Sequence, residues 1–336
     1  MIEPLYKAAE DRYSAGMEYR RCGRSGILLP VLSLGLWHNF GDVDTLAESR
    51  KKIFYAFDRG ITHFDLANNY GPSFGSAEET FGIIMKNSLK PYRDELFIST
   101  KAGHDMWEGP YGEWGSRKYL MASLDQSLKR MNLDYVDLFY SHRYDPETPL
   151  EETLQALVDV VRQGKALYVG ISKYPPKAAL KAYEYLAQRD VPCLIYQGKY
   201  NIFDREPATD GIIEDCHKNG IGFIAFSPLA QGLLTNRYLD GVPADSRVAR
   251  GGYLKKDSLT PETLEKVRKL DNIAKERNQT LAEMALSWIL SDKMVTSVIV
   301  GASSKQQLAT NLRGVENLVS FSETEINEIN KICNLK

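Results

Sequence analysis

Four residues of this chain carry side chains that together could act on a carbonyl group: Asp65, Tyr70, Lys101 and His142. Three of them close short apolar runs, Thr62-His-Phe-Asp65, Leu96-Phe-Ile-Ser-Thr-Lys101 and Val136-Asp-Leu-Phe-Tyr-Ser-His142. Tyr70 follows Asp65 in a loop closed by Gly71-Pro72. A phenol with a pKa of ~10 is a weak acid at neutral pH unless its surroundings shift it. The expectation is that the Lys101 ammonium lowers that value while Asp65 keeps the lysine charged and aimed. His142 can donate to a carbonyl oxygen and fix its orientation. None of the four can supply hydride, so a cofactor must, and the protein must aim it. The expected chemistry is carbonyl reduction, with Tyr70 delivering the proton. Singly, each residue has an ordinary explanation: a loop cap, a solvated lysine, a core histidine, a loop-packing tyrosine. Their weight comes from arriving together. H-E-x-x-H and Walker patterns are missing, as are paired carboxylates placed for glycoside cleavage.

The elements that must position these residues are legible from the hydrophobic rhythm. Residues 19–30 read as a β-hairpin around a Gly23–Gly26 turn. Apolar runs at 31–36, 61–67, 96–101, 135–142, 166–172, 193–197, 221–227 and 295–301 read as strands. Helical spacing follows at 44–59, 76–87 (with Ser76 as N-cap), 116–130, 149–162, 175–188, 207–218, 261–277, 280–292 and 304–315. A last helix is expected at 320–333, and a long loop between about 228 and 260. The strands are apolar throughout rather than alternating, as when both faces are covered. The count of eight, and the lack of a Gly-x-Gly-x-x-Gly after an early strand, favour a closed (β/α)8 barrel over an open Rossmann sheet. No linker or composition shift interrupts residues 1–336, so the expectation is one domain. Residues 1–18 are polar and irregular, an arm expected on the surface or on a neighbouring subunit. In such a barrel the chemistry sits at the carboxyl ends of the strands, which here carry Trp37, Asp65, Lys101, His142, Ser172, Gln197, Ser227 and Gly301-Ala-Ser303.

Bulk composition limits the partners. Lys+Arg is 42 against Asp+Glu 44, a net charge of −2, which gives no field for gripping nucleic acid or an acidic membrane. Apolar runs fall short of the ~18 residues a membrane span needs, and the N-terminal residues show no charged-then-apolar leader pattern. Cys22, Cys193, Cys216 and Cys333 are scattered without metal-ligand spacing. The expectation is a cytoplasmic protein with small buried or surface thiols and no metal.

The motifs as a set resemble the aldo-keto reductases over nearly the whole chain. They are Asp65-Leu-Ala-Asn-Asn-Tyr70-Gly, Ser99-Thr-Lys101, Leu133-Asp-Tyr-Val-Asp-Leu-Phe-Tyr-Ser-His142-Arg, Gly164-Lys-Ala-Leu-Tyr-Val-Gly-Ile-Ser172, Phe226-Ser-Pro-Leu-Ala-Gln-Gly-Leu-Leu234 and Val300-Gly-Ala-Ser303. Asp105-Met-Trp-Glu-Gly-Pro-Tyr-Gly and the run 115–131 are similar to the branch of potassium-channel β-subunits and their bacterial relatives of the L-glyceraldehyde 3-phosphate reductase type. The resemblance implies a catalytic tetrad at Asp65, Tyr70, Lys101 and His142. It implies that Ser172 and Gln197 hold a nicotinamide carboxamide on which Phe226 stacks. Trp37 and Gly301 fall in the same cofactor-binding set. Ser227, Pro228, Leu229, Gln231 and Gly232 then match a pyrophosphate loop. Arg237, Arg247 and Ser303 match contacts to an adenosine 2′-phosphate, which favours NADPH/NADP, and Gln307 and Asn311 match adenine contacts.

Some positions depart from that pattern. Arg237 stands where many relatives have lysine, and Thr310 where glutamate is frequent. The implied function is NADPH-dependent reduction of small aldehydes or ketones, with glyceraldehyde 3-phosphate or a methylglyoxal-like compound as candidate substrates. The alternative is a cofactor-loaded sensor or regulatory subunit with little turnover, and the resemblance suggests a homo-oligomer of four or more copies. His142, where the channel branch often has asparagine, favours the enzyme. Trp37, His38, Trp107, Trp114 and Tyr144 are candidates to shape the substrate pocket, with core packing equally open. Arg143, Lys173 and Lys199 lie near the same rim as ordinary solvated charges or as contacts to a substrate phosphate.

Overall fold

The computed structural model describes residues 6–239, 241–243, 254, 256–316 and 318–334. The chain opens with a hairpin, β1 (Tyr19–Arg21) and β2 (Leu28–Pro30), paired antiparallel with Arg20 opposite Leu29. Then come β3 (Leu32–Gly35), α1 (Leu46–Asp58), β4 (His63–Asp65), α2 (Ser76–Ile84), β5 (Phe97–Ala102) and α3 (Arg117–Met131). The alternation continues through β6 (Val136–Ser141), α4 (Leu150–Arg162), β7 (Ala166–Ser172), α5 (Pro176–Ala187) and β8 (Cys193–Lys199). It ends with α6 (Glu206–Thr209), α7 (Ile212–Asn219), β9 (Gly222–Phe226), α8 (Pro261–Glu276), α9 (Leu281–Ser291), β10 (Val295–Val300), α10 (Lys305–Glu316) and α11 (Glu323–Ile332). Among the described residues, β3 to β10 form a closed parallel barrel in sequence order, with β10 returning to β3.

The barrel has two apolar layers. Outward-facing Phe64, Ile98, Phe139 and Val169 pack with helical residues such as Phe57, Phe81, Leu124 and Leu157. Inside, Phe97, Leu138, Tyr140, Ile195 and Ile224 meet Cys22 and Leu29 of the hairpin, which plugs the floor. Arg20 ties that plug down by donating to the carbonyls of Leu290 and Val295 at 2.9 Å each. Register fixes the rim: Asp65 pairs with Ser99, Lys101 with Tyr140, and Ser172 with Gln197. Because side chains alternate along a strand, Ser99 and Lys101 share the inward face, one pleat apart.

Two local expectations change. The N-cap of α2 is Gly75, in the left-handed region at φ 88°, and Ser76 is the first helical residue, its hydroxyl donating to the Ser73 carbonyl. The serine is one residue too late because the Tyr70 loop packs tightly here: a Cβ on Gly71 (φ 91°) would lie 2.3 Å from Ser76 Oγ. The span 207–218 divides at Gly211, whose φ of 79° no continuous helix accepts, into α6 and α7. Residues 6–18 of the N-terminal arm pack on the surface of their own chain, one of the two places expected for it. Tyr6 stacks on Phe54 of α1 at 3.8 Å and donates to Asp58 at 2.7 Å, while Arg12 pairs with Glu95 at 2.6 Å. The described helices include none long and apolar enough to cross a membrane.

Candidate active site

At the carboxyl end of the barrel the four residues singled out above meet. β4 delivers Asp65, β5 delivers Lys101, and the residue after β6 is His142. Tyr70 hangs in the loop after β4, held there because the Gly71 amide donates to the Trp37 carbonyl and the Ala77 amide to the Tyr70 carbonyl. Lys101 is fully buried and donates to Asp65 Oδ2 at 2.6 Å, to the Leu66 carbonyl at 2.6 Å and to the Tyr70 hydroxyl at 3.2 Å. An ammonium has three hydrogens and a neutral amine two, so this geometry uses the charged form completely. Burial pulls the Lys101 pKa down, and the Asp65 carboxylate opposes that pull.

Tyr70 corrects one expectation. Its pKa is not lowered by the lysine but raised well above 10, first by burial and then by the Asp65 carboxylate. Forming a phenolate there means placing a second anion in a poorly solvated cleft, and the single cation is already shared with Asp65. The phenol therefore rests in the proton-loaded state. His142 is held well below its usual value by burial and by the nearby cations Lys101 and Lys173, so it rests as a neutral imidazole. Its ring lies edge-on to Tyr70 (5.9 Å) and to His104 (4.6 Å), and its buried Nδ1 has no partner among the described residues.

Beneath the rim runs a buried polar column. Asp65 Oδ1 accepts from Ser99 Oγ (2.8 Å) and from Gln197 Nε2 (3.2 Å). Ser99 Oγ contacts His63 Nε2 at 3.0 Å, and His63 Nδ1 contacts Ser33 Oγ at 2.8 Å. Ser33 meets Ser297 at 2.7 Å, and Ser297 donates to the Pro30 carbonyl at 2.6 Å. Burial pushes His63 down to about 4. This column fixes the carboxylate that in turn fixes the lysine.

Above the rim a cavity of about 840 Å³ is lined by Asp65, Tyr70 and His142 together with Trp37, Gln197, Phe226 and Gly301. It continues along Ser227, Pro228, Leu229, Gln231 and Gly232 to Arg237, Ser303 and Gln307. A second cavity of about 200 Å³ shares Leu229, Arg237 and Gln307 with the first and adds Thr310 and Asn311. Ser172 is buried behind the wall and donates to the Gln197 carbonyl at 2.9 Å. Arg247 lies outside the described residues. Trp107, Trp114 and Tyr144 are not on the cavity wall. The loop 103–116 folds on itself through Met106 N to the Gly112 carbonyl and Trp114 N to the Gly103 carbonyl. Trp107 packs on Tyr119, Arg143 covers Trp114 and Tyr144 abuts Tyr174. The wall instead takes His104, Asn39, Val43 and Asn69. Only the closeness of Asn69 and His104 to the Tyr70 and Lys101 motifs could have flagged them.

Two observations fit this groove to a dinucleotide. Ser227, Ala230 and Gln231 all hold left-handed backbone (φ 53°, 46° and 62°) without being glycine, at roughly 1–3 kcal/mol each, a strain that concentrates at ligand clamps. Asn311 is buried with its Nδ2 unpartnered, beside the second cavity.

Residues 31–334 match the aldo/keto reductase family. The chain belongs to that family. As an aldo/keto reductase it is an oxidoreductase, with the closed barrel and the hairpin plug already described. It is 54% identical over 331 residues to proteins named L-glyceraldehyde 3-phosphate reductase from Escherichia coli O157:H7 and strain K12, covering 97% of this chain and 95% of each relative. It is 35% identical over 326 residues to a probable voltage-gated potassium channel subunit beta of Oryza sativa subsp. japonica, covering 95% of this chain and 98% of that relative.

Proposed function

We propose that this aldo/keto reductase reduces small aldehydes, phosphorylated ones included, with NADPH as hydride donor and Tyr70 as proton donor. Carbonyl reduction is the family's chemistry. The observation that carries the finer reading is the contact between Lys101 and Tyr70 at the head of the long groove, with Asp65 behind the lysine. A nicotinamide held along the groove would supply the hydride to the carbonyl carbon. Tyr70 then gives its hydroxyl hydrogen to the carbonyl oxygen, and Lys101, already donating to that hydroxyl, stabilises the negative charge left on it. Neutral His142 lines the same space and positions the carbonyl oxygen. Trp37 and Phe226 would flank the nicotinamide, Gln197, backed by Ser172, would hold its carboxamide, and Ser227 to Gly232 would follow the pyrophosphate. Arg237, Arg247 and Ser303 take the 2′-phosphate, and Gln307 and Asn311 take the adenine.

The reading extends to a single barrel domain, a cytoplasmic location and a homo-oligomer of four or more copies, for which light scattering is the check. The deciding experiment is steady-state NADPH oxidation with a panel of aldehydes. Sustained turnover of glyceraldehyde 3-phosphate or a similar aldehyde supports it. Tight NADPH binding without turnover of any member supports a cofactor-sensing subunit instead.

A further inference from the structure

The cavity wall carries an unbalanced positive charge next to the reacting centre. Among the described residues two carboxylates face the cavity, Asp44 and Asp65. Each is already neutralised by a lysine buried behind the wall, Asp44 by Lys52 at 2.6 Å and Asp65 by Lys101 at 2.6 Å. Two cations face it as well, Arg237 and Lys173. Arg237 borders the second cavity, at the adenosine end of the proposed cofactor groove. Lys173 follows β7 at the other end, close enough to Lys101 and His142 to perturb both His142 and itself.

Besides Lys101, the rim cations singled out from the sequence are Arg143, Lys173 and Lys199, and the first and last of these are occupied. Arg143 pairs with Glu113, donates to the Gly103 carbonyl at 2.7 Å and covers the Trp114 ring. Lys199 pairs with Asp204 at 2.5 Å. Lys173 has no acidic partner among the described residues, and its ammonium hangs 5.4 Å from the centre of the Phe226 ring. Its backbone sits in the left-handed region at φ 55°, which turns this residue out of the line of β7. The titratable neighbours, His104 and His142, are neutral near pH 7, so among the described residues of this wall none offsets its charge.

We propose that Lys173 is the subsite for the phosphate ester of a phosphorylated aldehyde substrate, selecting such substrates over their uncharged analogues. An exposed ammonium that faces the cavity beside the reacting centre, with no carboxylate partner among the described residues, is free to take an anion brought in by the substrate. Burial, with Lys101 and Arg143 nearby, pushes the Lys173 pKa down to about 8, so it loses its charge just above the physiological range. A phosphate ester completes its second ionisation near pH 6. Attraction is then greatest between roughly pH 6 and 8, within the limits set by those two ionisations.

This inference rests on the reductase reading, and the test separates the two. With NADPH saturating, glyceraldehyde 3-phosphate and glyceraldehyde are compared for the wild type, Lys173→Met and Lys173→Arg. The expected result is that Lys173→Met lowers the kcat/KM preference for the phosphorylated aldehyde roughly ten-fold, mainly through KM. Lys173→Arg should restore the preference and keep it above pH 8, where the wild type loses it, because guanidinium stays charged. Calorimetric titration of glycerol 3-phosphate into NADP-loaded protein gives a readout without turnover, with binding kept in the wild type and Lys173→Arg and lost in Lys173→Met. Equal losses on both aldehydes, or a matching loss in NADPH affinity, overturn the subsite and leave the reductase reading standing. A wild type that turns over neither aldehyde overturns the reductase reading, and the subsite with it.

Discussion

Lys101 stands 3.2 Å from the Tyr70 hydroxyl while its other two hydrogens go to Asp65 and to the Leu66 carbonyl, so the phenol shares a cation that is already committed elsewhere. The arrangement does not prepare a phenolate in advance. In the proposed reduction the proton stays on Tyr70 until a carbonyl oxygen gains charge, and the lysine then offsets the charge left behind.

Replacing Tyr70 by phenylalanine keeps the ring and removes the proton. Turnover should fall by roughly 10²-fold or more while NADPH affinity, read by fluorescence quenching, stays as it was. Near-normal turnover would remove Tyr70 from the mechanism.

Removing the cation should hurt the fold as well as the chemistry. Lys101→Met leaves Asp65 charged and buried, which is expected to destabilise the protein by about 3–5 kcal/mol. The double variant Asp65→Asn/Lys101→Met should recover most of that stability in urea unfolding and none of the activity. If the double variant is as unstable as the single one, the pair is not coupled in the way its 2.6 Å contact implies.

The rate should be nearly indifferent to pH around neutrality. Tyr70 stays protonated because its pKa is raised well above 10, and His142 stays neutral because its pKa lies well below 6.5. For an uncharged aldehyde kcat should change by less than about two-fold between pH 6.5 and 9. An alkaline limb with a midpoint near 7 or 8 would mean that the lysine lowers the tyrosine after all.

Stability should decline in mild acid. His104 is pushed down to about 4 and His142 well below 6.5, both chiefly by burial, whereas in the unfolded chain both titrate near 6.5. Between those values the unfolded chain binds more protons, so stability is full above about pH 6.5 and falls as pH drops towards 4. The slope is at most about 1.4 kcal/mol per pH unit for each group. Urea midpoints at pH 7, 6 and 5 measure it, and a flat series would contradict the burial of these rings.

Arg237→Ala should weaken NADPH more than NADH, by roughly ten-fold in the ratio of dissociation constants, since a 2′-phosphate is the only added charge. Equal losses would place Arg237 elsewhere along the groove.

Much of this was legible in the sequence because strands report their own ends. Asp65, Lys101 and His142 each close an apolar run, and in a parallel barrel those ends share one rim, so their meeting follows from eight such runs. Loops carry no comparable ruler. Trp107, Trp114 and Tyr144 were open equally to pocket and packing, and the loop 103–116, which bonds to itself, and the contact of Tyr144 with Tyr174 decide for packing. Ser76 looked like a cap, yet close packing around Gly71 moved the helix start. The sign of the Tyr70 shift was out of reach for another reason: proximity to Lys101 can be read from motifs, whereas burial and the prior claim of Asp65 exist only in three dimensions.

The column under Asp65 has a consequence for hydrogen counting. Its contacts are Ser99 to Asp65, Ser99 to His63, His63 to Ser33, Ser33 to Ser297 and Ser297 to Pro30, five in all. Three hydroxyls and one neutral imidazole bring one hydrogen each, four in all, and both ends of the chain can only accept. One contact must therefore set lone pair against lone pair, and an extra proton on the His63 ring would fill the gap. Acidity thus works on this ring in two directions at once: burial resists the charge, and the chain of acceptors above and below has room for it.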